Sequence, residues 1–215
     1  MAITSLNRFS VPTDGSVVNQ ALLMPKMKYR FRVVFTGFGV TSGDAIELTK
    51  QVVDVTRPSV TFEEVTLDVY NSKVYLAGKH SFEAITINLR DDATGLVQRV
   101  VGEQLQKQFD FMEQASARSG IDYKFTCRID VLDGGNGTKE VNTLESINLW
   151  GCFLTNVNYG ELNYGTGAEP ATVALSIRFD NMTQLKGGST SVIEGIGRDI
   201  GERTLGSMTT GGGAV

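Results

Sequence analysis

The feature that most constrains this chain is a two-residue alternation of apolar and polar side chains. It returns in segment after segment and is broken most clearly by one stretch with helical spacing. From Lys28 to Phe35, the residues Tyr29, Phe31, Val33 and Phe35 fall on one side and Lys28, Arg30, Arg32 and Val34 on the other. That is the pattern of a half-buried strand, whose successive side chains point to opposite faces. Ser81 to Leu89 repeats it with Ile85, Ile87 and Leu89, Tyr123 to Leu132 with Tyr123, Phe125, Cys127, Ile129 and Val131, and Thr172 to Asp180 with Val173, Leu175, Ile177 and Phe179. Less regular extended runs cover Gln51 to Val55, closed by Arg57-Pro58, and the stretch from Val141 or Leu144 to Leu154. Thr61 to Val69 and Lys73 to Leu76 flank Asn71-Ser72 as the arms of a hairpin flank its turn.

The clearest exception to this period is the run containing Leu96, Val97, Val100, Val101, Leu105, Phe109 and Met112, with Gln98, Arg99, Glu103, Gln106 and Lys107 on the other side. This spacing predicts one amphipathic helix, capped by Asp91 or Asp92 and ending near Ser119-Gly120. Several strands, one helix and no strand–helix–strand alternation predict a mainly β (α+β) fold, an antiparallel β-sandwich or barrel with one flanking α-helix. Glycine is abundant, 24 residues against 4 prolines, and it punctuates the strands at Gly37-Phe38-Gly39 and at Gly134 to Gly137. The expected organisation is an N-terminal arm over 1–24, a β domain over 25–182 and a Gly-rich C-terminal extension over 183–215. In that extension Val192, Ile193, Ile196, Ile200 and Leu205 sit on helical spacing.

The chemistry of catalysis is hard to find in this sequence. His80 is the only histidine, so a Ser-His-Asp or Cys-His arrangement has one residue to run through, and its position reads as a turn between strands. Cys127 and Cys152 lack the neighbours that a zinc site needs, and Cys127 falls on the apolar side of its strand. Gly37-Phe38-Gly39-Val40-Thr41-Ser42-Gly43, which opens the loop from Gly37 to Lys50, looks superficially like a dinucleotide loop, but the next segments of chain read as extended rather than as a crossover helix. Adjacent carboxylates such as Glu63-Glu64 point to opposite faces of a strand and do not make an acid/base couple. Asn136-Gly137-Thr138 and Asn181-Met182-Thr183 match a glycosylation pattern by chance, since the N-terminus shows no export signal. No catalytic, metal or cofactor residue is assigned. The charge balance, 20 Lys+Arg against 24 Asp+Glu, carries no basic footprint for tight nucleic-acid binding, and the longest apolar runs, such as Val33-Val34-Phe35, are too short to span a membrane.

Two stretches, read in order with the single helix between them, carry a resemblance. The first is Val74-Tyr75-Leu76-Ala77-Gly78-Lys79-His80-Ser81-Phe82, continuing through Glu83-Ala84-Ile85-Thr86-Ile87-Asn88-Leu89 into Arg90-Asp91-Asp92. The second is Leu149-Trp150-Gly151-Cys152-Phe153-Leu154-Thr155-Asn156-Val157. The sequence from about Tyr29 to Met182 resembles the tail tube protein family of contractile-tailed bacteriophages, related to the tube proteins of type VI secretion. Leu76-Ala77-Gly78 varies the family's opening, and Leu154 stands where the family usually has proline at the turn into its last strands.

The resemblance implies a structural virion protein rather than an enzyme. Six copies would close into a ring, and the rings would stack into a hollow inner tube through which phage DNA is ejected. The implied partners are further copies of the chain, the surrounding sheath protein, and baseplate and tail-terminator proteins, with DNA passing through the lumen without tight binding. The implied location is the virion, after synthesis in the cytoplasm of the bacterial host. Gly39, Asp44, Glu47, Tyr70, Asn71 and Ser72 are the candidate subunit and ring contacts, and Glu83, Asp130 and Glu145 the candidate lumen-facing carboxylates. A baseplate tube initiator, or the tube of a type VI or other contractile injection device, fits the same resemblance. A monomeric β-sandwich binding module is the rival from another class.

Overall fold

A computed structural model describes residues 25–40, 44–134, 141–165 and 169–186. The expected N-terminal arm, most of the Gly134 to Gly137 turn and the amphipathic run after Val192 lie outside the described residues. Along the chain the elements are β1 (Phe31–Thr36), α1 (Asp44–Lys50), β2 (Val52–Val55), β3 (Val60–Val69), β4 (Ser72–Phe82), β5 (Ile85–Arg90), α2 (Leu96–Gln108), β6 (Phe109–Asp110), β7 (Ala115–Ser116), α3 (Gly120–Tyr123), β8 (Phe125–Leu132), β9 (Thr143–Asn158), β10 (Thr172–Arg178) and β11 (Asn181–Lys186). The fold is mainly β, as the alternation predicts.

Seven strands form one antiparallel sheet in the order β1-β8-β9-β10-β5-β2, with β11 added beside β9. β9 is the hinge of this sheet. Its first half pairs with β11, from Glu145↔Lys186 to Trp150↔Asn181, and its second half pairs with β10, from Phe153↔Arg178 to Asn158↔Ala174. The sheet therefore folds over itself, and the two halves bury their alternating apolar residues against each other. Val33, Cys127 and Leu149 come from one half, Ile87, Leu89, Leu175 and Ile177 from the other, and all are fully buried. Val97, Val100 and Val101 of α2 complete the core. Each such side chain contributes roughly 1.5–3 kcal/mol through burial.

Gly151 explains how a 16-residue strand can serve both halves. It sits at φ +67, and a Cβ there would lie 2.2 Å from Asp180 Oδ2. Left-handed backbone without a side chain is what a bulge at a bend requires. The register with β8 shifts at the same place, between Phe125 and Cys127. The buried positions change phase as a result, from Ile147 and Leu149 before the bulge to Cys152 and Leu154 after it.

Several sequence expectations need correction. The first strand begins at Phe31 rather than Lys28. A turn closed by Arg30 N–H donating to Met27 O at 3.2 Å precedes it, leaving Tyr29 72% exposed. The Gly37 to Lys50 loop holds α1, whose Leu48 is fully buried. The main helix stops at Gln108, because Phe109 turns extended at φ −151, ψ 124. The Asp110 carboxylate then receives the Met112 and Glu113 N–H groups, at 2.9 and 3.2 Å, and shapes a tight β6–β7 hairpin.

Ser119, expected near the helix end, instead begins α3 with a reciprocal capping box to Asp122, and Tyr123 belongs to that helix rather than to β8. At the start of α2 the cap position is Gly95, at φ 68 without a side-chain bond, while Asp92 Oδ1 reaches past it to accept from Leu96 N–H at 3.0 Å. His80 lies within β4, not in a turn. The Leu149 to Val157 stretch is interior to β9 rather than a turn, and β11 carries the sheet across the boundary expected at residue 182.

Candidate assembly surfaces

Among the described residues β3 and β4 pair only with each other, with a bulge on the β4 side where Phe62↔His80 gives way to Glu64↔Ala77. Beyond the bulge, cross-strand partners share a face. Val65↔Leu76 and Leu67↔Val74 stand on one side, with Val69 at the end of the row, and all five apolar side chains are between 43% and 51% exposed. The other side is polar or mixed, with Glu64↔Ala77, Thr66↔Tyr75 and Asp68↔Lys73. At its base the hairpin is anchored, since Phe82 stacks on the buried Phe179 at 5.1 Å and on His80 at 5.0 Å. A two-stranded ribbon is at best marginally stable in water unless its apolar face is covered.

The tip carries a second signal. Tyr70 is 99% exposed and sits at φ 48, a left-handed conformation that costs a non-glycine residue roughly 1–2 kcal/mol. Asn71 and Ser72 complete the turn, and the Ser72 hydroxyl donates to Val69 O at 3.2 Å.

The other expected contact residues are placed differently. Gly39 is buried. Its N–H donates to Gln104 Oε1 at 3.1 Å, its carbonyl accepts from Lys107, and a Cβ there would meet Val100 at 3.0 Å. It therefore locks the loop onto α2 and is not on the surface. Asp44 opens α1, and the exposed Glu47 accepts from Lys50 one helical turn on, at 2.6 Å. Gln104, a polar residue on the core side of α2, is fully buried, and its amide also donates to Tyr123 O at 2.6 Å.

The three expected lumen carboxylates are not brought together. Glu83 is exposed in the break between β4 and β5 and accepts from Ser59 Oγ at 2.7 Å. Glu145 is largely covered and accepts from Lys26 Nζ and Gln184 Nε2, both at 2.5 Å. The Lys26 ammonium first, and the Gln184 amide after it, hold its carboxyl below the usual range. Asp130 faces away from the core but is 1% exposed, covered by Arg32 and Arg128. What this patch presents to solvent is guanidinium, not carboxylate. The signal was legible in outline, since Arg32, Arg128 and Asp130 share the non-core phase of adjacent strands.

Among the described residues β1 pairs with β8 alone and β11 with β9 alone, so within these four strands each outer strand has an edge without a described partner; β2, at the far end of the sheet, pairs with β5 alone. Cys127 and Cys152 are both free and buried. Burial pushes the Cys127 thiol up and the Cys152 thiol to about 12, so neither is a poised nucleophile. Among the described residues no three His, Cys, Asp or Glu side chains converge to hold a metal, and no helix is long and apolar enough to cross a membrane.

No protein-family model matches this sequence, and no curated protein matches it significantly. Solved structures share its fold. A chain of the anti-feeding prophage cap, the tube terminating cap, is 15% identical with a TM-score of 0.55, the match covering 81% of this chain and 99% of that one. A chain of the sheath/tube terminator of the PVC extracellular contractile injection system in its extended state gives 14% identity and 0.53, covering 77% and 99%. A chain of the PVC sheath-tube complex gives 13% and 0.52, covering 75% and 92%. The chain thus shares its fold with chains found in the cap, terminator and sheath-tube assemblies of contractile injection systems.

Proposed function

We propose that this chain is a structural subunit of a contractile tail, closing into rings that stack as the inner tail tube of a contractile-tailed bacteriophage. The observation that carries the reading is the β3–β4 hairpin, which shows a row of five uncovered apolar side chains and a strained, fully exposed Tyr70. A lone domain has no use for such a ribbon, whereas a neighbouring copy would cover it. The unpaired edges of β1 and β11 support the same reading. Head-to-tail pairing of one edge with the other closes a ring and removes the aggregation hazard of exposed strand edges.

In such a ring the second half of the sheet and α2, the bulkier layer, lie outside, and the outward face of β1, β8, β9 and β11 lines the bore. Six copies per ring, a surrounding sheath, baseplate and tail-terminator partners, a place in the virion after synthesis in the host cytoplasm, and DNA passage through the bore are parts of this proposal. A cap, terminator or baseplate initiator is the second reading. It is favoured by one observation, that the fold matches the tube terminating cap and the sheath/tube terminator as well as it matches the sheath-tube complex. A monomeric binding module leaves the hairpin unexplained.

Sedimentation velocity over a wide concentration range tests the ring. The expected result is a ring-sized species that grows into longer assemblies with concentration and is lost in Leu67→Ser. A monomer at every concentration, unchanged by that substitution, contradicts the proposal.

A further inference from the structure

The outward face of β1, β8, β9 and β11 carries a charge arrangement that ring closure does not require. Arg32 stands directly across from Asp130 in the register of β1 and β8. The Asp130 carboxylate accepts from Arg32 Nη2 at 2.8 Å and Nε at 3.2 Å through Oδ2, and from Ser146 Oγ at 2.7 Å through Oδ1. Arg128 Nε lies 3.2 Å from the same Oδ1. A carboxylate this deep is tolerated because every oxygen is partnered, and it fixes both guanidinium groups at one end. Their side chains nevertheless remain 45% exposed.

Each guanidinium has five N–H donors in a rigid plane, so donors are left over on both after Asp130 is satisfied. The rest of the outward register is neutral, with Thr36, Thr126, Asn148 and Thr183 among its polar members. Lys28 and Asp54 line the same cleft as Arg32, while Lys26 and Glu145 are paired with each other. On the strand face itself two cations stand against one covered anion.

We propose that Arg32 and Arg128 form an oxyanion-binding pair for the phosphate groups of a nucleic-acid backbone. The in-plane fork of Arg32, which suits a flat carboxylate, is already occupied by Asp130. The remaining donors lie on two separate guanidinium edges. A tetrahedral phosphodiester, whose oxygens diverge, meets both, and a polymer repeats the group from copy to copy. Asp130 cancels part of the charge, so the grip is weak and salt-sensitive, suited to a strand that must keep moving. The pair is complete on one chain and does not depend on the ring. If rings close as proposed, it recurs around the bore in place of an acidic wall.

The test is binding of a fluorescent single-stranded oligonucleotide to the full chain over a salt series. The affinity of the unchanged protein is expected to fall linearly on a log–log plot. Arg128→Gln should weaken it about tenfold and lower the salt slope by about 0.7, because one phosphate contact to a single strand is lost. Arg128→Lys should keep the slope while losing part of the affinity, and Arg118→Gln, in the loop between β7 and α3, should change neither. Thermal melting checks that the variants fold, and because Arg128→Lys keeps the charge, a folding defect in Arg128→Gln does not end the test. The proposal is overturned if Arg128→Gln and Arg128→Lys both bind as the unchanged protein does. It is equally overturned if polyglutamate of matched charge, or inorganic phosphate alone, binds as tightly as the oligonucleotide. Loss of rings with retained binding breaks the tube reading alone, and rings without binding break this inference alone.

Discussion

The folded-over sheet and the β3–β4 hairpin are built from similar residues and treat them in opposite ways. In the sheet, Ile85, Ile87 and Leu89 alternate with polar neighbours and reach at most 1% exposure; in the hairpin, Val65, Leu67 and Val69 alternate just as regularly and stand at 43–51%. The difference is not in local propensity, since both segments are β-branched and alternating. It lies in what covers them, a second layer of the same chain in one case and no described residue in the other. Alternation therefore reports that a strand has an apolar face, and only the surroundings decide whether that face is core or interface.

The comparison breaks most sharply in the sheet. Leu149→Ala should destabilise the protomer by about 2–5 kcal/mol, because it opens a cavity among packed neighbours, as urea unfolding would measure. Gly151→Ala, which places a Cβ against Asp180 at a left-handed position, should cost at least about 1–2 kcal/mol from backbone strain alone. If either leaves the midpoint unmoved, the bend in β9 is not what joins the two halves.

The hairpin should respond in the other direction. Leu67→Ser is expected to change protomer stability by no more than about 0.5 kcal/mol, the usual range for surface changes, while abolishing assembly. Tyr70→Gly should stabilise the protomer by roughly 1 kcal/mol by relieving the left-handed strain, yet weaken ring stacking. A Tyr70→Gly protein that is both more stable and fully competent to assemble would show that the strain serves no contact.

The smallest effect concerns Glu145, whose carboxyl is held below its ordinary value, chiefly by Lys26. A lowered folded-state value means that the contribution is fully present above the ordinary carboxylate range and fades as pH falls through the folded value. Thermal melts of Glu145→Gln and the unchanged protein should therefore differ near neutrality and converge in acid. A gap that persists in acid means that the Lys26 pair is not its source.

The strands that pack one face on the core, β5, β8 and β10, were legible in the sequence because water on one side and oil on the other impose the alternation directly. The elements that escaped did so for physical reasons. α1 has 7 residues, too few to display a helical period, and its polar setting hides the buried Leu48. Phe109 and Met112 continue the spacing of α2, but Asp110 gathers the backbone N–H groups of the next turn and ends the helix. The phase slip in β9 needs Gly151 to be read as a bulge rather than as a turn. β11 presents Met182 and Gln184 to the inner side, a pair too polar to register as a strand. Of the site, the hairpin tip was readable from its turn. The burial of Gly39 and Asp130 was not, because it depends on partners far along the chain, Gln104 and Lys107 for one, Arg32 and Ser146 for the other.

In the proposed ring the uncovered hairpin and the edges of β1 and β11 are the joints. Negative-stain electron microscopy of the purified full chain, from dilute to concentrated samples and beside Leu67→Ser, tests it most directly. Closed rings that stack into hollow tubes, present in the unchanged protein and missing in the variant, are the predicted result. Dispersed monomers at every concentration, in the presence of sheath and baseplate partners as well, would contradict it.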